Sequence, residues 1–393
     1  MRLGLFGNLY PSKSRLGPHT TGLVMAISDF GLVDRITVFA NQDADLSGLI
    51  SDERVSIERC WRHDDPMSLL STLWRMFRAR NHVDCFLFNI YVTSFGRSRL
   101  VNAFGMMLGP VISILTRRRV IVYLHNAAQT QDVVSLGYHP SVLSMWFSGL
   151  LVRIVARTTM LVVPLMSQAS KLEEELHVRA SALHLPYLEG LPLMRRPGNE
   201  VLRGKDTSID GHEGRTPHLL LFGSWGPQKD IGQISAMLRN LLITEPDVVV
   251  TISGTINPGF DGFTELLDEF VESLPKSRVR VRLNPTDEVL SGILKSTSVI
   301  ILPYRASGGA SGVLSVAALF EIPAIATDLP QLRETAVNLM STVTFFDPGN
   351  IEKAVEAVRQ FLRDEDYFDR RRGMTRESRS QFLRERLQKL LNP

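Results

Sequence analysis

Apolar positions along the chain fall into short, near-continuous runs, separated by longer segments with helical spacing. In the first half the runs are LGLF (3–6), RITVFA (35–40), DCFLFNI (84–90), VIVYLH (120–125), MLVVPL (160–165) and ALHLPY (182–187). The second half repeats the scheme with LLLFG (219–223), VVVTISG (248–254), VRVRLN (279–284), VIILPY (299–304), PAIATD (323–328) and TVTFF (342–346). Runs that stay apolar instead of alternating predict strands buried on both faces, as a parallel sheet requires. Segments such as DIGQISAMLRNLL (230–242) and GFTELLDEFVESL (262–274) supply the crossover helices. Between the halves, RRPGNEVLRGKDTSIDGHEGRTP (195–217) is polar and has no periodic apolar face, so it reads as a linker. The last segment, SRSQFLRERLQKLL (378–391), sets Phe382, Leu383, Leu387, Leu390 and Leu391 on one helical face.

The expected architecture is therefore α/β, with two tandem doubly wound, Rossmann-like domains. The first covers 1–195, the linker 196–217 and the second domain 218–375; the terminal helix, 376–393, is expected to pack back on the first domain. Ligands of such sheets sit beyond the carboxyl ends of the strands, where strand order switches. Two domains facing across a cleft would then share one site.

Composition narrows the function classes. A length of 393 residues suits two domains of roughly 150 to 200 residues. With 44 Lys and Arg against 41 Asp and Glu, the net charge of +3 gives no reason to expect nucleic acid as a partner. Cys60 and Cys85 offer neither a disulfide framework nor a CxxC metal spacing, which favours a reducing compartment. The first residues lack the long apolar run of a signal peptide, and no segment has 18 uninterrupted apolar residues. The expected location is the cytoplasm, including the inner face of the plasma membrane.

Four loops at strand ends carry the candidate chemistry. In PYRASGGASGV (303–313) a strand ends at Tyr304, and the Ser-Gly loop that begins at Arg305 turns into a helix beginning near Ser311. Unpaired amides and the helix dipole favour an anion at such a start. Gly308, Gly309 and Gly312 allow close backbone approach, and Ser311 can cap the helix or bond a phosphate oxygen. The plain alternative is an ordinary Ser-capped helix. In LLLFGSWGPQKDI (219–231), Gly223 ends a strand and Lys229 precedes the next helix, able to meet a diphosphate as a point charge or simply to be solvated. His125 closes the strand VIVYLH, where it could bond a sugar hydroxyl, move a proton or satisfy a buried backbone group. The loop GNLYPSKSRLGPHTTGL (7–23), with Gly17, could line the site or be a mobile surface loop.

Taken in order, these pieces resemble the retaining glycosyltransferase family 4, the "group 1" transferases, which have the GT-B fold. FGSWGPQKDI (222–231) corresponds to the family's Gly-Arg-x-x-x-x-Lys-Gly turn and VVVTISG to its strand ending in Gly. DEVLSGILKSTSVIILPY (287–304) is similar to the family's helix and strand before the loop. SGV (311–313) with IPAIATDLPQLRE (322–334) matches the family's Gly-x-Pro-Val-Ile-Ala-x-x strand and the acidic residue after it. The resemblance is good over 219–348 and weaker, though consistent in order, over the first half. There are departures. Ser224 stands where the family has a phosphate-binding Arg, and the acidic pair falls on Gly308 and Val316. A sub-branch with a PYR…SGV loop is closer, yet it usually keeps a carboxylate at the position of Val316.

The resemblance implies a retaining glycosyltransferase of hexosyltransferase type. It would move a sugar from a nucleoside diphosphate sugar to an acceptor hydroxyl, in polysaccharide, glycan or glycolipid synthesis. Lys229, Ser311, Gly312, Val313, Gly223 and Ser224 would hold the donor diphosphate. Tyr304, Arg305, Gly308 and Gly309 would line the donor-sugar loop, Leu283 and Asn284 would meet the nucleoside, and His125 would contact the donor sugar near the reacting carbon. No cofactor or metal is implied, and the acceptor, which a lipid-linked glycan would fit, is not named by the residues. The alternatives are a catalytically degenerate binding or scaffold subunit of the same fold and a nucleotide-sugar epimerase. Two basic, apolar segments, 96–119 and 144–159, read first as buried helices with arginines at their rims. The second reading is a surface that approaches anionic lipid.

Overall fold

The computed structural model of the protein describes residues 1–10, 16–45, 52–185, 216–256, 262–364 and 376–392. The linker expected over 196–217 lies outside these residues, except for Thr216 and Pro217. The chain divides into two compact units.

The first unit, Met1–Gln131, Pro140–Arg195 and Ser378–Pro393, is built on one parallel sheet. Its strands are β1 (Arg2–Gly7), β2 (Arg35–Asn41), β3 (Val55–Trp61), β4 (Cys85–Ile90), β5 (Arg119–Leu124), β6 (Met160–Val163) and β7 (Ser181–Ala182), in the order β3-β2-β1-β4-β5-β6-β7. The register sets Leu3 of β1 against Ile36 on one side and Cys85 on the other. Because strand order reverses about β1, the carboxyl ends of β1 and β4 form the switch point. The helices are α1 (Leu16–Asp29), α2 (Pro66–Ala79), α3 (Arg99–Thr116), α4 (Val142–Thr158) and α5 (Met166–Leu176). The α2 helix starts where the sequence says it should: Asp65 accepts from the Met67 and Ser68 amides, and Pro66 fills the first turn.

Buried residues of α2 to α5 join Phe6, Phe86, Phe88 and Val122 in one core layer, while α1 packs with Leu3, Leu5 and Val38 in another. That second layer also takes up the terminal helix (Arg376–Leu391), whose Leu383, Leu387, Leu390 and Leu391 are buried in it. Arg119 of β5 donates to the carbonyls of Leu390 and Leu391, satisfying the helix's last acceptors with a cation, where the dipole favours one.

In the second unit, Asp132–His139 and Arg196–Glu377, the sheet order is β11-β10-β8-β12-β13-β14, again parallel. These strands are β8 (His218–Leu221), β10 (Val249–Ile256), β11 (Val279–Leu283), β12 (Val299–Leu302), β13 (Ala324–Thr327) and β14 (Val343–Phe346), and a short β9 (Ser224–Trp225) pairs with the end of β10. Here β8 and β12 are neighbours, with Leu221 beside Ile301, so their carboxyl ends make the switch point. The helices that position the site are α6 (Ile231–Thr244), α7 (Phe263–Glu272), α8 (Asp287–Ser296) and α9 (Gly312–Leu319). After them come α10 (Pro330–Leu339) and α11 (Ile351–Arg363); the terminal helix of the first unit is α12.

Two features differ from the sequence expectation. VSIERCW (55–61) is a strand, although its charged residues hid it. As the edge of its sheet β3 is buried only at Cys60 and Trp61. Gly17 lies not on a loop but in the first turn of α1, where its carbonyl accepts from the Thr21 hydroxyl. By length and composition α3 is long and apolar enough to cross a bilayer, though 44% of it is buried inside the fold.

Candidate functional site

In the second unit the backbone at the switch point is drawn unusually close. Gly223 follows β8 with φ +113°, and a side chain there would sit 2.7 Å from Val313 Cγ2. Gly254, near the end of β10, has φ +121°, and its Cβ would fall 1.8 Å from the Gly223 carbonyl oxygen. Only glycine satisfies either position. The chain then turns back: β9 pairs Ser224 and Trp225 with Thr255 and Ile256, and the Trp225 indole donates to the Ser253 carbonyl at 2.8 Å.

This turn carries Lys229 inward. Its side chain is 2% exposed, with Nζ 2.8 Å from the Phe222 carbonyl oxygen, 4.0 Å from the centre of the Trp225 ring and 5.6 Å from that of Tyr304. Among the described residues no carboxylate pairs with it; the neighbouring Asp230 instead caps α6. Burial pushes the Lys229 ammonium down to about 7, so any bound anion would restore its charge. The surface-charge reading of this lysine is thereby excluded.

The loop after β12 meets the same turn. Lys229 and Tyr304 form an antiparallel bridge, and the Arg305 amide donates to the Gln228 carbonyl at 2.8 Å. Beyond the half-buried Gly308 and Gly309, Ser311 caps α9: its Oγ accepts from the Leu314 amide at 3.2 Å. The amides of Gly312 and Val313 in the first turn have no preceding helical carbonyl to bond. Val313 reaches Gly223, so the start of α9 and the β8 turn lie side by side. Tyr304, Lys229, Gly223, Ser311, Gly312 and Val313 thus converge at one strand edge.

Other predicted residues take varied places. Ser224 is in β9, and its carbonyl accepts from Gln228. Arg305 is exposed. Leu283 ends β11, and the exposed Asn284, at φ 48°, donates its amide to the Gly254 carbonyl at 2.7 Å, next to the same turn. Val316, where a carboxylate was expected, packs against the apolar cluster around Leu314 and Ala317.

At the switch point of the first unit, polar side chains are locked together. The Thr20 hydroxyl donates to the Leu16 carbonyl, so it can only accept from Asn89 Nδ2, at 2.9 Å. That fixes the orientation of the Asn89 amide, whose Oδ1 faces His125 Nε2 at 2.8 Å. His125 therefore carries its proton on Nε2 and holds a lone pair on Nδ1. The other Asn89 proton points to His19 Nδ1 at 3.1 Å, and the His19 ring meets His125 edge-on at 4.2 Å. Burial, with His184 adding to it, pushes His125 down to about 3, so it is a neutral hydrogen-bonding group near pH 7. Sequence reasoning missed Asn89, Thr20 and His19. The available signal was Asn89 itself, a polar residue near the end of the otherwise apolar run CFLFNI.

Residues 205–381 match the family described as Glycosyl transferases group 1. No curated protein sequence matches the chain. Among solved structures, Anabaena HepE in complex with UDP-glucose superimposes with a TM-score of 0.65 at 13% identity, covering 100% of both chains. Sucrose-phosphate synthase from Thermosynechococcus elongatus gives 0.59 at 12% identity, over 100% of this chain and 95% of the other. The UDP-GlcNAc 2-epimerase from Neisseria meningitidis bound to UDP-GlcNAc gives 0.53 at 11%, over 99% and 100%. At such identities the likeness is one of fold: two Rossmann-like α/β units of the GT-B architecture. The sequence match, confined to 205–381, and this fold together make the second unit similar to a group 1 glycosyl transferase domain.

Proposed function

We propose that the protein transfers a sugar, with retention, from a nucleoside diphosphate sugar to an acceptor hydroxyl in polysaccharide, glycan or glycolipid synthesis. One observation carries the reading: a buried lysine without a carboxylate partner among the described residues stands beside a glycine turn and a Ser-capped helix start. A buried ammonium is costly unless an anion neutralises it. The diphosphate of a nucleotide sugar would supply that anion, and two proteins of similar fold are described in complexes with UDP-glucose and UDP-GlcNAc. In the reaction the bond from the anomeric carbon to the diphosphate oxygen breaks, and the acceptor oxygen bonds that carbon on the same face. Lys229 and the amides of Gly312 and Val313 stabilise the charge gathering on the leaving diphosphate, so the reading calls for no metal. His125 is assigned a neutral role, accepting a hydrogen bond from a sugar hydroxyl at Nδ1.

Calorimetry with UDP, GDP and ADP sugars tests the site. Lys229→Ala should weaken the bound nucleotide sugar by roughly 10- to 100-fold, the scale of a charge-assisted hydrogen bond, and Ser311→Ala by less. Unchanged affinity in both, with the thermal transition preserved, would sink the assignment.

A donor-binding subunit without turnover is the second reading, favoured by Val316 and Ser224 in place of a carboxylate and an arginine. Donor binding by the parent protein with neither transfer nor hydrolysis would select it.

A further inference from the structure

The Lys229 ammonium has three N–H donors, and one of them goes to the Phe222 carbonyl at 2.8 Å. Among the described residues, the elements around it bring no opposite charge. The turn after β8 offers that carbonyl, α9 sets Val313 beside Gly223, and the end of β10, Ser253 to Thr255, is uncharged. Asp230 is turned into the α6 cap, where it accepts from the Gln233 amide. Tyr304 brings a phenol ring 5.6 Å away, and Arg305 is exposed. A buried cation without a counter-ion is costly, so another group must meet its charge.

Trp225 meets it. The indole is fully buried, and its ring centre lies 4.0 Å from Lys229 Nζ, within the range over which an aromatic face attracts a cation. Tryptophan is the side chain with the strongest such attraction. Its placement is fixed twice. The β9 backbone pairs with Thr255 and Ile256 of β10, and the indole N–H donates to the Ser253 carbonyl at 2.8 Å. The tight turn from Gly226 to Lys229, closed by a 2.9 Å backbone hydrogen bond, then lays the lysine over the ring. We infer that Trp225 is a positioning residue of the donor site: its indole face stands in for a counter-ion and keeps the Lys229 ammonium in place for an incoming diphosphate. The diphosphate clause rests on the donor reading; the hold of the indole on the lysine does not.

The Lys229 Cε resonance is followed against pH in the full chain without ligand, and its loss in Lys229→Met identifies it. The four tryptophans are exchanged for 5-fluorotryptophan, which keeps the shape and the N–H of the ring but weakens its negative face. Trp61, Trp74 and Trp146 belong to the first unit, so Trp225 alone bears on Lys229. Fluorination should lower the titration midpoint. Trp225→Leu should lower it further, by about one pH unit or more, the scale of a desolvated cation–π contact, with Trp225→Phe between the two. A mere loosening of the fold would admit water to the ammonium and raise the midpoint, the opposite sign. A midpoint that ignores fluorination overturns the proposal, as does one that rises in Trp225→Leu. On the donor reading, calorimetry should show Trp225→Leu losing about tenfold more nucleotide-sugar affinity at about pH 8 than at about pH 5.5, because the ammonium form pairs with the diphosphate. Equal losses at both values overturn the link to the donor. A parent protein that binds none of the UDP, GDP and ADP sugars removes the donor reading, and the carbon titration still decides the role of the indole.

Discussion

The tautomer of His125 rests on the hydroxyl of Thr20, two hydrogen bonds away, through the amide of Asn89. Replacing Asn89 by Leu keeps the size and deletes the relay, freeing the imidazole to exchange tautomers. The expected outcome is a shift of the His125 ring-nitrogen resonances from one tautomer toward a mixture. On the role proposed for His125, transfer should fall by about 10-fold, the scale of losing one hydrogen bond. Thr20→Ser should behave like the parent, whereas Thr20→Val should resemble Asn89→Leu. An unchanged nitrogen spectrum in Asn89→Leu would remove the relay from the account, whatever the activity. Lys229 teaches the complementary lesson. In sequence it is a lysine in a polar loop, indistinguishable from a solvated one. The positive φ of Gly223 and the close approach of Gly254 turn it inward.

At the scale of elements, α12 shows how little of a helix must be apolar to be anchored. Four leucines, Leu383, Leu387, Leu390 and Leu391, are buried in the first unit, while Arg384, Glu385, Gln388 and Lys389 are exposed. Leu387 is completely buried, so Leu387→Ala should cost about 2 to 5 kcal/mol, from lost transfer energy plus the cavity left behind. Denaturant unfolding monitored by probes in each unit should show the loss in the first unit and spare the second. Equal losses in both would mean that the units unfold as one cooperative block. The helical face of α12 was legible from leucine spacing, as were the second-unit strands from their apolar runs. The β3 strand was not, because an edge strand needs apolar residues on only part of its length. Nor was the α1 start, which Gly17 and Pro18 disguised as a loop.

The whole molecule should answer to pH through three histidines of the first unit. Burial holds His125 down to about 3 and His184 down to about 4, and it lowers His19 as well. His184 is 3% exposed, and neither of its ring nitrogens has a hydrogen-bond partner among the described residues. All three are neutral in the folded state and protonate in the unfolded chain near pH 6.5. Their contribution is complete above that value and is lost as pH falls from about 6.5 toward about 4 and then 3, at up to ~1.4 kcal/mol per pH unit for each group. Thermal melts between neutral pH and the acid limit of that window should show a falling transition, shallower in His184→Leu. Parallel slopes for parent and variant would contradict this. The α/β class and the two-part organisation could be read from the chain because burying a strand on both faces demands a local run of apolar residues. A capping Ser after glycines likewise announces a helix start by itself. Strand order could not be read so. Leu221 and Ile301 are 80 positions apart, and only the sheet makes them neighbours, setting Lys229 against Tyr304 and Gly223 against Val313. Burial and the sharing of protons among side chains depend on that packing, and so the chemistry of Lys229 and His125 was decided by the tertiary structure alone.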